Sequence, residues 1–493
     1  MNSVIDNHGH RDHAVSLTQL ATVEIQLIMQ GLCSLDLLRL SSCCQYMRHA
    51  ACHSFVWKNS NELQIKRGKI SKLTKRINSI ICCIKTSPLC FAPLRITLSK
   101  QLIENQSDEL RELVNVIKHG YKHESLRVTG LECIDNNLND EQVIILTDLI
   151  KCSKNITSIQ LEDNSIGSIG GALSLSDAIT QNQNLTSINI STCELGDEAI
   201  KALSKSIMEN KNLTNLNLSF NEFTNEGALA LSRALTYDES KITDLDISGN
   251  LFENESITFL ENALKQNKTI TKLNLRCIGS LENTTIHAIS DFIEHNQSLY
   301  SIDLGYNNID DRSAVILSKA IKSANNLADI SFCFNSIKYM GICALAESIK
   351  CNKNLTSIDF SMGNFGPKGL IALAESIKQN ESITYVNLRH QENKMTNFTS
   401  ISHLSDAIKN LTSIDLSGNG ILESGATVLA NVIKKSHRLT SIFLTDNHIG
   451  YRGALSLVHA ARQNASILEM TLDEIYNDVY LHSKKRLDRY TRC

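Results

Sequence analysis

The chain has 493 residues, 42% of them hydrophobic and 20% charged, with a formal net charge of −3. That balance excludes a globally basic nucleic-acid binder and a highly charged disordered chain. The most apolar window, Ser79 to Leu98, is broken by Lys85, Pro88, Pro93 and Arg95, so nothing reaches the roughly 18 apolar residues of a membrane span.

In chain order, residues 1–16 are polar, lack the apolar core of a signal peptide and read as disordered. His8, His10 and His13 are metal-ligand types without a fixed scaffold, so no metal site is assigned there. Residues 17–58 are densely apolar at helical spacing. Ile25, Ile28, Met29 and Leu32 share one face, and Asp36 is placed to cap a second helix carrying Leu37, Leu38 and Leu40. About 40 residues give too little core for independent stability, so this module is expected to complete its core against a partner. In residues 59–93, Ile70, Leu73, Ile77, Ile81 and Ile84 follow helical spacing, with Lys69, Lys72, Lys75, Arg76 and Lys85 around them. A basic amphipathic helix can meet a membrane or nucleic acid. The simpler reading, a linker helix docked on the first repeat, is preferred.

From there a repeat dominates. The phrase Leu-x-x-Leu-x-Leu-x-x-Asn-x-Leu, with other apolar residues allowed at the Leu sites, begins at Val128, Ile156, Leu185, Leu213, Ile242, Ile270, Leu299, Leu327, Leu355, Ile383, Leu411, Leu439 and Ile467, at intervals of 28 or 29 residues. Alternating apolar residues predict a short strand with one buried face. The Asn that follows (Asn164, Asn221, Asn250, Asn307, Asn335, Asn419, Asn447) is suited to pair backbone groups that the turn leaves open. A helix comes next, as in Gly341 to Ile349. Seven units then carry Asn three residues before the next phrase begins (Asn182, Asn210, Asn267, Asn296, Asn352, Asn380, Asn464), which predicts a left-handed helix end. Ile278, Gly363 and Gln391 replace the turn Asn, and the polar stretch Gln391 to Thr399 predicts a local distortion. Ser107 to His119 reads as an opening helix. Leu468 to Cys493 reads as a closing helix with a basic tail (Lys484, Lys485, Arg486, Arg489, Arg492).

Strand–turn–helix units of constant length stack as parallel strands with right-handed helical crossovers, and wide helices force the strands onto a concave face. The repeat resembles the leucine-rich-repeat family, specifically its ribonuclease-inhibitor-like subclass, over residues 94–474. The fold class is therefore α/β: a solenoid of about 12–13 repeats, with an all-α module before it and residues 475–493 as cap and tail. Residues 17–58 resemble the F-box. The family's Leu-Pro, Ile, Leu, Asp-Leu, Val-Cys and Leu-Trp marks fall on Leu20-Ala21, Ile28, Leu32, Asp36-Leu37, Cys43-Cys44 and Val56-Trp57. Trp57 is the chain's only Trp, while Ala21 stands for Pro, Val23 for Glu, Met47 for Trp and Ser54 for a second Pro. This resemblance implies contacts to a Skp1-type adaptor through Leu20, Ile28, Leu32, Leu37 and Trp57, and through the adaptor to a cullin.

No chemistry-bearing motif emerges. There is no phosphate-binding loop and no His-Glu-x-x-His; Gly167, Gly170 and Gly171 sit in an ordinary repeat turn. The fifteen cysteines include no CxxC pair, and reduced, buried thiols fit best. The chain reads as a non-enzyme without cofactor, monomeric by itself and cytoplasmic, with the nucleus left open. One column expected on the concave face runs Glu132, Gln160, Asn189, Asn217, Asp246, Asn274, Asp303, Ser331, Asp359, Asn387, Asp415 and Phe443. A neighbouring one carries Phe220, Tyr306, Phe334, Met362 and His390, with Tyr300, Tyr385 and Arg389 on the same strands. Exposed aromatics are typical interface anchors, so these eight residues are the candidate protein-binding site. Together the two resemblances imply the substrate-recognition subunit of an SCF-type cullin-RING ubiquitin ligase. The alternatives are a repeat scaffold or inhibitor, and a regulator resembling the Ran GTPase-activating protein, whose long acidic tail contrasts with the basic end of this chain.

Overall fold

The computed structural model describes residues 62–65, 93–98, 107–122 and 127–473, apart from 238, 280, 393–394 and 396–397. The module at 17–58, with Leu20, Ile28, Leu32, Leu37 and Trp57, the helix expected over Ile70 to Ile84, and the basic tail lie outside the described residues. The described residues divide into two compact units: those up to 195 with 205–213, and 196–204 with those from 214 to 473.

In the first unit, strands β1 (Glu62–Ile65), β2 (Pro93–Leu98), β3 (Arg127–Glu132), β4 (Ser158–Gln160) and β5 (Ser187–Asn189) pair in sequence order, all parallel. Helices α1 (Ser107–Lys122), α2 (Asp140–Cys152) and α3 (Ile169–Gln181) alternate with the strands from β2 on. Strand β1 corrects one expectation, because residues 62–65 fall where a helical linker is predicted. Leu63 and Ile65 alternate with Glu62 and Gln64, a strand pattern, and Leu63 aligns with Ile96. The division between the units runs through α4 (Asp197–Glu209).

The second unit continues with β6 (Asn215–Asn217), α5 (Asn225–Leu235), β7 (Asp244–Asp246), α6 (Asn254–Gln266), β8 (Lys272–Asn274), α7 (Asn283–His295), β9 (Ser301–Asp303), α8 (Asp311–Ser323) and β10 (Asp329–Ser331). It closes with α9 (Tyr339–Cys351), β11 (Ser357–Asp359), α10 (Gly366–Gln379), β12 (Tyr385–Asn387), α11 (Phe398–Ile408), β13 (Ser413–Asp415), α12 (Glu423–Lys435), β14 (Ser441–Phe443), α13 (Gly450–Gln463) and β15 (Glu469–Thr471). Its strands pair in sequence order and in parallel, without a register shift. Strand β15 replaces the start of the closing helix expected from Leu468.

Constant unit length keeps the register, and register keeps like residues stacked. The central strand residue is buried while its neighbours are half-exposed. The buried centres make one aliphatic column: Leu273, Ile302, Ile330, Ile358, Val386 and Ile414. The turn Asn residues form a second column. Asn335 Nδ2 donates to the carbonyls of Leu304 (2.9 Å) and Phe332 (3.0 Å), and its Oδ1 accepts from the Asn307 and Ile309 amides (3.1 and 2.9 Å). Asn419 and Asn447 repeat the scheme. Gln391 reaches the Phe360 carbonyl at 2.7 Å. Its extra methylene is accommodated by Gly363, where a Cβ would stand 3.0 Å from Gln391 Oε1.

The Asn residues that end the helices do not adopt the left-handed conformation expected of them. Asn182, Asn267, Asn296, Asn352, Asn380 and Asn464 have negative φ. Their amides are the reason for their presence. Asn380 Nδ2 donates to the Ile349 and Asn352 carbonyls of the preceding unit (2.7 and 2.6 Å), while Oδ1 accepts from the Ser382 and Ile383 amides (2.8 and 2.9 Å). Each helix end is thereby satisfied by the next unit. At the other end, Asp197 Oδ1 takes the Thr224 and Gly227 amides, and Asp311 Oδ1 those of Lys338 and Gly341, all within 2.7–2.8 Å. Gly167 is likewise structural: a Cβ there would run into the Glu194 backbone.

Candidate functional site

The residues that leave the strands of the second unit have an unusual backbone. Phe220, Cys277, Tyr306, Phe334, Met362, His390 and Asp446 all have φ between 51° and 59°. Left-handed backbone costs an L-residue about 1–2 kcal/mol, and bulky side chains are rare in it. Gly249 and Gly418 occupy the same position with φ 66° and 71°, so the fold is satisfied there without a side chain. Five units nevertheless hold large side chains at this strained point.

Those side chains line up as a ridge, in contact with one another at its centre. The Tyr306 and Phe334 rings stack with centroids 4.3 Å apart and planes 24° from parallel. Arg276 lies over the Tyr306 ring, its Cζ 4.3 Å from the centroid. Tyr306 Oη reaches the Met362 sulfur, 3.4 Å away and two units on. The Phe220 ring covers Gly249 and the His390 ring covers Gly418, with His390 Nδ1 3.8 Å from Asp446 Oδ2. Glycines at 249 and 418 leave room for their neighbours' rings to lie down. The ridge still meets solvent: Phe220 is 54% and Phe334 50% exposed.

Beside the ridge lies the exposed strand face. The Asp and Asn column predicted there has a structural duty: Asp359, Asn387 and Asp415 each accept the amide two residues on, at 2.7, 3.0 and 2.8 Å, and Asn189, Asn217, Asp246, Asn274 and Asp303 do the same. One oxygen of each side chain is thereby fixed, which leaves each Asp a second oxygen and each Asn its amide nitrogen for other contacts. Burial, opposed by the Gly305 amide, Ser331 and Arg276, pushes the Asp303 carboxyl above the usual carboxylate range. Tyr385 is half-buried among these acids; burial first, then the Asp359, Asp415 and Asp329 charges, push its phenol up.

Of the eight residues singled out in the sequence, Phe220, Tyr306, Phe334, Met362 and His390 form the ridge, joined by Arg276, which flanks them in sequence. Tyr385 and Arg389 belong to the adjoining strand face. Tyr300, 51% exposed, sits one residue ahead of β9, in a column otherwise mostly of Thr whose hydroxyls bond the preceding backbone; none of the ridge contacts just described involves it. The sequence reading does not anticipate the left-handed backbone, although glycine at two of nine equivalent positions was the available signal.

This architecture is a leucine-rich-repeat α/β solenoid. Five segments, residues 181–204, 209–232, 295–317, 351–374 and 407–430, match the sequence profile of the Leucine Rich repeat family. Each contains one strand, β5, β6, β9, β11 or β13. No curated protein sequence matches the chain. Among solved structures, Leiomodin-1 Actin-Binding Site 2 (ABS2) is similar at 17% identity and a TM-score of 0.27, over 30% of this chain and 86% of that one; a likeness at that level carries no functional argument. Leucine-rich-repeat solenoids are characteristically protein-interaction scaffolds. Among the described residues no helix is long and apolar enough to cross a membrane, and no group of acidic, His and Cys side chains is arranged to hold a metal.

Proposed function

We propose that the second unit holds a protein partner along the ridge, and that the chain serves as the substrate-recognition subunit of an SCF-type cullin-RING ubiquitin ligase. The observation that carries the binding reading is the ridge itself. The turn is left-handed at this position in every described unit, and Phe220, Tyr306, Phe334, Met362 and His390 are the large side chains placed there, with Phe220 and Phe334 about half exposed; exposed aromatics gathered at one surface point to use of that surface. Interface anchors are typically aromatic side chains with a rigid bed. The ligase reading rests on the F-box-like marks Leu20, Ile28, Leu32, Leu37 and Trp57. Docking these on a Skp1-type adaptor, and so on a cullin, would raise the effective concentration of partner lysines near the ubiquitin-conjugating enzyme, with no covalent step in this chain.

The test is affinity purification from a eukaryotic lysate with the full chain and with the double variant Tyr306→Asn/Phe334→Asn. Asn tolerates left-handed backbone, so the variant removes the rings without adding strain. Loss of a co-purifying partner with retention of adaptor and cullin is the expected result. Failure to recover the adaptor, with the wild type and with Ala21→Pro, removes the ligase reading and leaves a scaffold or inhibitor. Partner capture indifferent to the double variant removes the ridge.

A further inference from the structure

The ridge supplies apolar contact, and the strand face beside it carries an excess of negative charge. Among the outward residues of β9 to β14, with the residue two past each strand, the charged ones are Asp303, Asp329, Asp359, Asp415 and Arg389, so four carboxylates face one guanidinium. Asp303 has Arg276 at 4.0 Å. Asp329 accepts from the Ser301 hydroxyl at 2.8 Å, and Asp359 from Asn387 Nδ2 at 3.0 Å; neither these two nor Asp415 forms an ion pair with a described Lys or Arg. Register puts Tyr385 opposite Ser357 and Ser413, with Asp359 and Asp415 further along the flanking strands on the same face. A half-buried aromatic ring between two carboxylates, with small serines on both sides, is a bed for a cation.

Resting on the reading that a protein lies along the ridge, we infer that the contacting segment of that partner is basic, and that a lysine or arginine of it seats over Tyr385 between Asp359 and Asp415. The apolar part of such a segment meets Phe334, Met362 and the Tyr306 edge, and its charge meets the strand face. Charge complementarity decides the class: an acidic segment would meet Asp329, Asp359 and Asp415 at close range, and like-charge juxtaposition excludes it.

The structure also provides variants that keep the fold. Asn189, Asn217, Asn274 and Asn387 occupy the same strand position as Asp359 and Asp415 and make the same backbone bond, at 2.9–3.1 Å. Asp359→Asn/Asp415→Asn therefore removes charge while keeping the turn. The experiment pans a random-sequence dodecapeptide display library on the purified full chain and measures synthetic copies of the recovered peptides by fluorescence anisotropy. Recovered peptides should be enriched in Lys and Arg. Their binding should weaken about tenfold or more in the double Asp variant and in Tyr385→Ala, survive in Tyr385→Phe, and weaken on raising salt from about 50 to about 300 mM. Neutral or acidic peptides whose binding is lost in Tyr306→Asn/Phe334→Asn overturn the basic-segment inference and leave the protein-binding ridge standing. Peptides indifferent to both double variants overturn the ridge reading as well.

Discussion

Replacing Asn335 by Ala tests the claim that the turn Asn column holds the second unit together. Asn335 makes four hydrogen bonds to backbone between 2.9 and 3.1 Å, two given and two taken, and is buried. At about 1 kcal/mol net per bond the loss is about 4 kcal/mol. A repeat array need not unfold in one step, so a global melt would blur the effect. Hydrogen exchange followed by mass spectrometry reads it locally: the Asn307 and Ile309 amides lose their acceptor and should exchange about a thousandfold faster. Asn325→Ala, at an exposed position just after α8, should change exchange little. Acceleration of less than about tenfold at Asn307 and Ile309 would refute the reasoning, since it would mean water or relaxation replaces the side chain without loss.

Other outcomes follow from the same geometry. Gly418→Ala puts a Cβ into the His390 ring at φ 71° and should cost about 1–3 kcal/mol by thermal or urea unfolding, whereas Gly196→Ala, with nothing within 4 Å, should stay within about 0.5 kcal/mol. Burial pushes the Cys133 thiol up, and Cys193 to about 12. Iodoacetamide at about pH 8 should therefore label exposed Cys277 and Cys351 in the folded protein and reach Cys133 and Cys193 only on unfolding; early labelling of Cys193, read by peptide mass, would contradict its burial. Asp310, held low by the Ser313 amide, Asp406 by Lys409 and Lys378, and Asp177 by Lys151 and Gln181 titrate below the usual carboxylate range. Asp197 does so although burial pushes it up, because the Thr224 and Gly227 donors outweigh that. A depressed folded pKa contributes stability present above the unfolded value and lost as pH falls through the folded one. The melting temperature should thus hold from neutral pH to about pH 5 and decline below about pH 4. Asp303, raised by burial, acts in the opposite sense.

The repeat was legible because its cause is local. A period of 28 or 29 residues with an alternating apolar strand has one compact solution, parallel stacking, and each unit need only pack on its neighbours. The aromatic column, too, could be read by counting, which located Phe220, Tyr306, Phe334, Met362 and His390 together. Two local readings failed for a shared reason. Asn380 and its equivalents suggested a left-handed helix end, yet their amides serve the preceding unit's carbonyls, and residues 62–65 form a strand because β2 lies alongside.

The amino-acid order alone determined the unit, its length and which side chains fall in one column, since these depend on periodicity along the chain. Tertiary structure decided what a column is for. The Asp and Asn residues of the strand face looked free and are half-engaged by the turn. Tyr306, Phe334 and Met362 looked merely exposed, yet they lean on one another over a left-handed backbone. Those facts are created by the close spacing of strands between units, and a distance between residues a full repeat apart exists only once the chain has folded.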